Sequence, residues 1–277
     1  MKRAWLLLLL LATLLAGCTG VFFQPHHIQV RTPDKLGLNY EDVYFESGDG
    51  IRLHGWFLPA EAPAQGTIFF LHGNAENIST HIGAVYWLPK QHFNVFIFDY
   101  RGYGLSEGAP SLPGAVGDVE SAFKWLLSRK DIDPKRVVVL GQSLGGSLAI
   151  YFTATTLHRA DIRALVVESA FSSYRDITRE KLSSFWLTWP LQYPLSWTVD
   201  DEFSPIRVIG KVSPIPLLVI HGDADNIVPI AHGRRLYDAA GEPKEFWAVA
   251  GGNHIDAFHH PANRERFLSF LRTILNK

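Results

Sequence analysis

The chain has 277 residues, 47% of them hydrophobic and 19% charged, with a formal net charge of −1. That is enough apolar material for one large α/β domain or two small ones with a sizeable core. The charge is balanced and no basic block occurs, so the composition gives no reason to expect nucleic acid as a partner.

Lys2 and Arg3 precede an almost wholly apolar run over residues 4–15, and Leu15-Ala16-Gly17 then leads to Cys18. The run is shorter than the roughly 20 residues a spanning helix needs, and it reads as an export signal. Leu-Ala-Gly-Cys resembles the lipobox of bacterial lipoproteins. That resemblance implies a signal over residues 1–17, cleavage before Cys18, and a thiol carrying a diacylglycerol. Cys18 is the only cysteine, so an exported chain would have no partner with which to form an internal disulfide. The plainer alternative is a cleaved signal with an incidental cysteine. The implied location is the bacterial cell envelope, held to membrane by the lipid anchor. Thr19, rather than Asp, follows the cysteine, which favours the outer membrane in a Gram-negative source.

Residues 18–35 read as a tether, with Pro25 and Pro33 and little periodicity. Residues 42–47 and 51–58 are strand-like runs joined through Gly48-Asp49-Gly50, a hairpin signal. Residues 67–71 form a continuous apolar run, as expected of a strand buried on both faces. A helix is predicted over residues 78–91 and a buried strand over 93–98. Residues 114–129 have an amphipathic helical pattern, with Val116, Val119, Phe123, Leu126 and Leu127 on one face. A strand over 136–140, a helix over 147–156 and a strand over 162–168 follow. Residues 171–209 break the alternation with Phe171, Tyr174, Phe185, Trp186, Trp189, Tyr193, Trp197 and Phe203, and read as a cap. Most of these aromatics are expected to seal the core, with a few lining an acyl pocket or touching lipid. Alternation resumes with a strand over 215–220, a helix over 230–240, a strand over 245–250 and a closing helix over 261–276.

Such alternation predicts a mostly parallel sheet with helices on both faces and the early hairpin as its antiparallel edge. His72, Asp99, Ser143 and Glu168 each follow a strand and are expected along one rim, where ligands of such sheets sit. Ser143 lies in Gly141-Gln142-Ser143-Leu144-Gly145-Gly146, between a strand and a helix. In that context G-x-S-x-G means a nucleophile elbow, whose glycines make room for a sharp turn. A serine needs a base to take its proton and a carboxylate to hold that base. The chain offers them in the order Ser143, then Asp223 or Asp225, then His254.

Five motifs resemble those of the α/β-hydrolase superfamily, in its order and over nearly all of residues 36–277. They are His72-Gly73-Asn74-Ala75, Asp99-Tyr100-Arg101-Gly102-Tyr103-Gly104, the elbow, His221-Gly222-Asp223-Ala224-Asp225 with Val228-Pro229, and Gly252-Asn253-His254. The first two look most like small serine hydrolases of the prolyl-peptidase-like and acyl-thioesterase-like kind. The resemblance implies Ser143 as nucleophile, His254 as general base and Asp225 as the acid, because Val-Pro stands three residues beyond it. It implies an oxyanion hole from the backbone N–H groups of Leu144 and Asn74, with Ala75 second. An ion pair between Asp99 and Arg101 is expected to brace the rim, and His72 and His221 are expected to shape loops.

The sequence therefore predicts an enzyme. It would cleave a small acyl ester or thioester through an acyl-serine intermediate, without metal or organic cofactor. The alternatives are a peptidase or amidase on the same triad, and a non-catalytic lipoprotein that binds lipid or peptide. Oligomeric state is not legible.

Overall fold

The computed structural model describes residues 22–276. The predicted export signal and Cys18 lie outside the described residues. One sheet holds β1 (Glu41–Glu46), β2 (Arg52–Leu58), β3 (Gly66–Leu71), β4 (Phe93–Asp99), β5 (Val137–Gln142), β6 (Ile162–Glu168), β7 (Leu217–Gly222) and β8 (Lys244–Val249). Their order across it is β8-β7-β6-β5-β3-β4-β2-β1. Among the described strands β2 runs against the rest, antiparallel to both β1 and β4. The expected edge hairpin is present, but β1 shares the direction of the main sheet, because two successive antiparallel pairings restore it.

Burial follows the sequence pattern. The apolar runs of β3, β4 and β5 are buried at every position, as strands covered on both faces must be. β1 alternates, with Val43 and Phe45 inward and Tyr44 outward. The helices are α1 (Ile78–His81), α2 (Leu112–Ser128), α3 (Leu144–Thr155), α4 (Tyr174–Ser183), α5 (Gln192–Trp197), α6 (Ile230–Ala239) and α7 (Pro261–Leu275). On one face of the sheet Phe69, Phe98, Phe123, Phe152 and Leu236 join α2, α3 and α6 to the strands. On the other, Trp56, Phe70, Ile97, Phe267 and Leu271 do the same for α7.

Three expectations need correction. The helix predicted over 78–91 ends at His81 and gives way to short 3₁₀ turns. The Trp87 indole N–H takes the Ala84 carbonyl at 2.8 Å, and the Leu88 N–H turns to Val85 at 3.0 Å. Pro89 then has no N–H with which to continue.

The described part of the tether does not hang free. Phe23 is buried, and Gln24–Pro25 pairs in parallel with Ala75–Glu76. The Asn77 side chain donates to the carbonyls of His26 and Ile28 at 2.8 and 2.9 Å.

Most of the cap aromatics do not seal the core. Phe171 and Tyr174 are buried, but Phe185, Trp186, Trp189, Tyr193 and Trp197 are exposed. Side-chain contacts fasten the cap at its base. Asp201 accepts from Ser173 Oγ at 2.8 Å, and Glu180 meets buried His232 at 3.0 Å. Among the described residues no helix is long and apolar enough to cross a membrane.

Candidate active site

β5 delivers Ser143 one residue past its end, and α3 begins at the next residue, earlier than predicted. The turn is so tight that Ser143 has φ 53° and ψ −117°, in the left-handed region that side chains avoid. Gly141 and Gly145 make the turn possible. A Cβ at Gly145 would overlap the carbonyl oxygens of Leu71 and His72, and one at Gly141 would overlap the Gly145 carbonyl. The Ser143 N–H donates to the Glu168 carbonyl at 2.9 Å. Its hydroxyl makes no cap to α3 and lies 3.0 Å from His254 Nε2.

His254 comes from the loop after β8. Its Nδ1 is 2.8 Å from Asp225 Oδ2. The other carboxylate oxygen of Asp225 accepts the N–H groups of Ile227 and Val228 at 2.9 and 2.8 Å. Buried His221 adds a ring nitrogen 3.4 Å from Asp225 Oδ2 and 2.7 Å from the Val228 carbonyl. Burial of Asp225 acts to raise its pKa. Hydrogen bonds from His221, His254 and the Val228 backbone outweigh it, and the carboxyl is held well below the usual range. It is therefore charged at neutral pH, beside the ring that would become a cation. Asp223 is elsewhere: its Oδ1 accepts the Gly251 N–H at 2.7 Å and braces the loop. Asp256 likewise accepts the Asn253 N–H at 2.9 Å.

Leu144, Asn74 and Ala75 line the same cavity as Ser143. Leu144 opens α3, where first-turn N–H groups lack intrahelical acceptors. The Asn74 side chain is committed elsewhere: its Oδ1 accepts the Gln24 N–H at 2.8 Å and the Tyr103 hydroxyl at 3.0 Å. These contacts pin the loop that carries Asn74.

The rim around these residues differs from expectation at one pair. Asp99 and Arg101 do not meet. Arg101 instead grips buried Asp118 on α2 and Asp49 in the hairpin turn, each at 2.8 Å at closest. Asp99, still in β4, points inward between His54 and His72, and accepts the Ile78 N–H at 2.9 Å. His72 shapes its loop as expected, with Nδ1 2.8 Å from the Gly73 carbonyl. Burial holds its pKa well below the ordinary imidazole value, so the ring is neutral.

Glu168 closes its strand as expected, but its carboxyl group is buried and bonded within the protein, a role that sequence reasoning did not find. It is buried beneath the elbow and accepts from Gln142 Nε2 at 2.6 Å and from the Ala257 N–H at 2.8 Å. It thus ties the end of the strand that leads to Ser143 to the loop that carries His254. Burial pushes its pKa up to about 7 against those hydrogen bonds. An acid closing an apolar strand at residues 162–168 was the available signal.

A cavity of about 670 Å³ opens over Ser143 and His254, within the range of small-molecule sites. Phe171, Ile177, Leu182, Ile227 and Ile255 make its wall mostly apolar. The residues that were expected to be tether contribute Phe22 and Gln24. Among the described residues Lys181 is its one Lys or Arg, and partly buried His81 adds a ring nitrogen bonded to the Ala75 carbonyl. Among the described residues no group of three His, Cys, Asp or Glu side chains could hold a metal ion.

The profile of the family described as serine aminopeptidase, S33, matches residues 62–205. The chain is 41% identical over 245 residues to the uncharacterized protein YfhR of Escherichia coli O157:H7, covering 85% of this chain and 82% of that protein. It is 35% identical over 239 residues to the α/β hydrolase domain-containing protein WAV2 of Arabidopsis thaliana, covering 82% of this chain and 76% of WAV2. A solved esterase of Pyrococcus furiosus superposes with a TM-score of 0.73 at 21% identity, covering 92% of this chain and 97% of the esterase, a likeness in fold.

Proposed function

Since the chain belongs to the serine aminopeptidase S33 family of α/β hydrolases, we propose that it is a serine hydrolase of carboxylic esters or thioesters. The observation that carries this reading is the unbroken line from Asp225 through His254 to Ser143, with contacts of 2.8 and 3.0 Å, at the floor of an apolar cavity. In the proposed reaction His254 Nε2 takes the Ser143 proton as Oγ attacks the acyl carbon. The N–H groups of Leu144 and Asn74 stabilise the oxyanion, one such donor being worth about 3 kcal/mol. The tetrahedral intermediate collapses to acyl-Ser143, and His254 protonates the departing alcohol or thiol. Water, deprotonated by the same ring, then releases the carboxylic acid and restores the serine.

The cavity wall supports an ester or thioester over the free amino terminus of a peptide. The cationic Lys181 side chain is in that wall, and it would repel a substrate ammonium group while tolerating a neutral acyl chain. We further propose that Cys18 is lipidated and holds the enzyme on the cell-envelope membrane. Its support is the Leu15-Ala16-Gly17-Cys18 sequence behind a charged and then apolar start.

Two experiments test these readings. Nitrophenyl esters graded from acetyl to long-chain acyl should be hydrolysed, and aminoacyl amides should not. Faster amide turnover would hand the site to the peptidase reading. Cys18→Ser should leave the membrane fraction, and continued membrane fractionation of that variant would remove the lipidation reading.

A further inference from the structure

The proposed chemistry uses the inner half of the cap and leaves the outer half without a task. Residues 182–199 contain no Asp, Glu, Lys, Arg or His. Three tryptophans in this stretch stand in solvent: Trp186 is 77% exposed, Trp197 66% and Trp189 59%. Phe185 and Tyr193 are also more than half exposed, as are Leu187 and Leu191 beside them. Trp56, Trp87 and Trp247, by contrast, are buried. Leaving each large apolar side chain in water forgoes about 2 kcal/mol, so a cluster of this kind marks an interaction surface.

Three observations select its occupant. Tryptophan and tyrosine have an apolar body and a polar edge, and such rings settle at the headgroup level of a bilayer. The stretch is uncharged, and two of the cations near its base are paired internally, Arg179 with Asp176 at 3.1 Å and Arg235 with Glu180 at 3.4 Å, while Lys181 donates to the Asn226 carbonyl at 3.3 Å. It therefore offers aromatic area rather than an ionic pattern. The patch is also continuous with the cavity. Ile177, Lys181 and Leu182 line the cavity, and the exposed run follows them directly along the chain. Phe22, the first described residue, packs on Phe171 and Tyr174 at the foot of the cap, 5.0 Å from the Tyr174 ring. In sequence, Phe22 directly follows the segment that holds the apolar run and Cys18.

We propose that the exposed aromatic face of the cap lies in the headgroup region of a phospholipid bilayer. The cavity mouth then faces the membrane, and the acyl substrate enters from it. The docking stands on its own, whereas the delivery of substrate rests on the hydrolase reading above.

The full chain, with Trp5→Phe to silence the emitter in the apolar run, is reconstituted with phosphatidylcholine vesicles. The vesicle lipid is brominated near the headgroup. Bromolipid should quench the parent, and Trp186→Ser/Trp189→Ser/Trp197→Ser should lose the quenching by about fivefold. Salt raised to about 0.5 M should leave the quenching in place, since screening acts on charges and not on rings. An unchanged thermal midpoint checks the fold of the triple variant, and Trp186→Ser alone should show a partial loss. In the second arm, the triple variant should keep activity on a soluble short-chain ester within about twofold. It should lose about tenfold on a long-chain ester dissolved in the vesicles.

Equal quenching of parent and variant, or none in either, overturns the docking. Self-association that the triple substitution abolishes, without quenching, would assign the patch to a second copy and overturn it too. If the parent hydrolyses neither ester, the hydrolase reading fails while the quenching still decides the docking. Equal loss on both esters would overturn the delivery alone.

Discussion

At the elbow, Gly141 and Gly145 leave no room for another atom. At the tip of the cap, Trp186 and Trp197 have most of their surface open to water. The elbow lines the cavity, the cap reaches it through Ile177, Lys181 and Leu182, and the elbow and the cap tip are built for different work. The elbow fixes one hydroxyl through backbone strain and close packing, so its value lies in position. The cap is fastened at Ser173, Glu180 and Asp201 and offers area beyond them, so its value lies in what it touches. Substitutions at the elbow should therefore act on chemistry and stability, and substitutions at the cap on access.

The largest expected effect is at Ser143, the proposed nucleophile. Ser143→Ala should lower ester kcat/KM by on the order of 10⁵-fold with an unchanged thermal midpoint, read in a nitrophenyl ester assay. Asp225→Asn should cost on the order of 10³–10⁴-fold in the same assay, and Asp223→Asn less than about tenfold. The reverse order would move the acid to Asp223. Gly145→Ala should lower unfolding free energy by about 3 kcal/mol in a denaturant titration, because the added methyl meets backbone rather than a flexible side chain.

Glu168 probes the layer beneath the elbow. Its pKa is raised from 4.5 to about 7 in the folded protein. The native state thus holds this proton more tightly than the unfolded chain does. The associated stability is full below about pH 4.5 and is lost as pH rises through 7. Relative to wild type, Glu168→Gln should gain about 2–3 kcal/mol between pH 4.5 and 7.5. Parallel pH profiles in chemical denaturation would contradict that origin of the shift. Phe22→Ala should raise KM for long-chain esters by about threefold to tenfold and spare the acetyl ester. The smallest effect is at the cap tip, where Trp186→Ser should change stability by less than about 0.5 kcal/mol.

These contrasts also explain what the sequence could and could not reveal. The strands were legible because their apolar runs are buried from end to end. The meeting of Ser143, Asp225 and His254 was legible because each follows a strand, and parallel strands bring such positions to one rim. The sequence of the cap did not disclose exposure, because aromatic residues are buried by default and composition cannot say where a cap stops packing. Asp99 and Arg101 are two residues apart, yet a turn between them sends one inward and the other to Asp118. Phe22 and Gln24 looked like linker because two-residue pairing with Ala75–Glu76 has no periodicity to detect. Glu168 carried no motif, since its contacts with Gln142 and Ala257 exist only after folding.

The most direct test of an activated Ser143 is covalent labelling of the full chain with a fluorophosphonate, followed by mass mapping of the adduct. One adduct is expected, on Ser143, absent in Ser143→Ala and formed at least about a hundredfold more slowly in Asp225→Asn. An adduct on another residue, or a folded wild-type protein that takes up no label while its cavity admits a small ester, would contradict it.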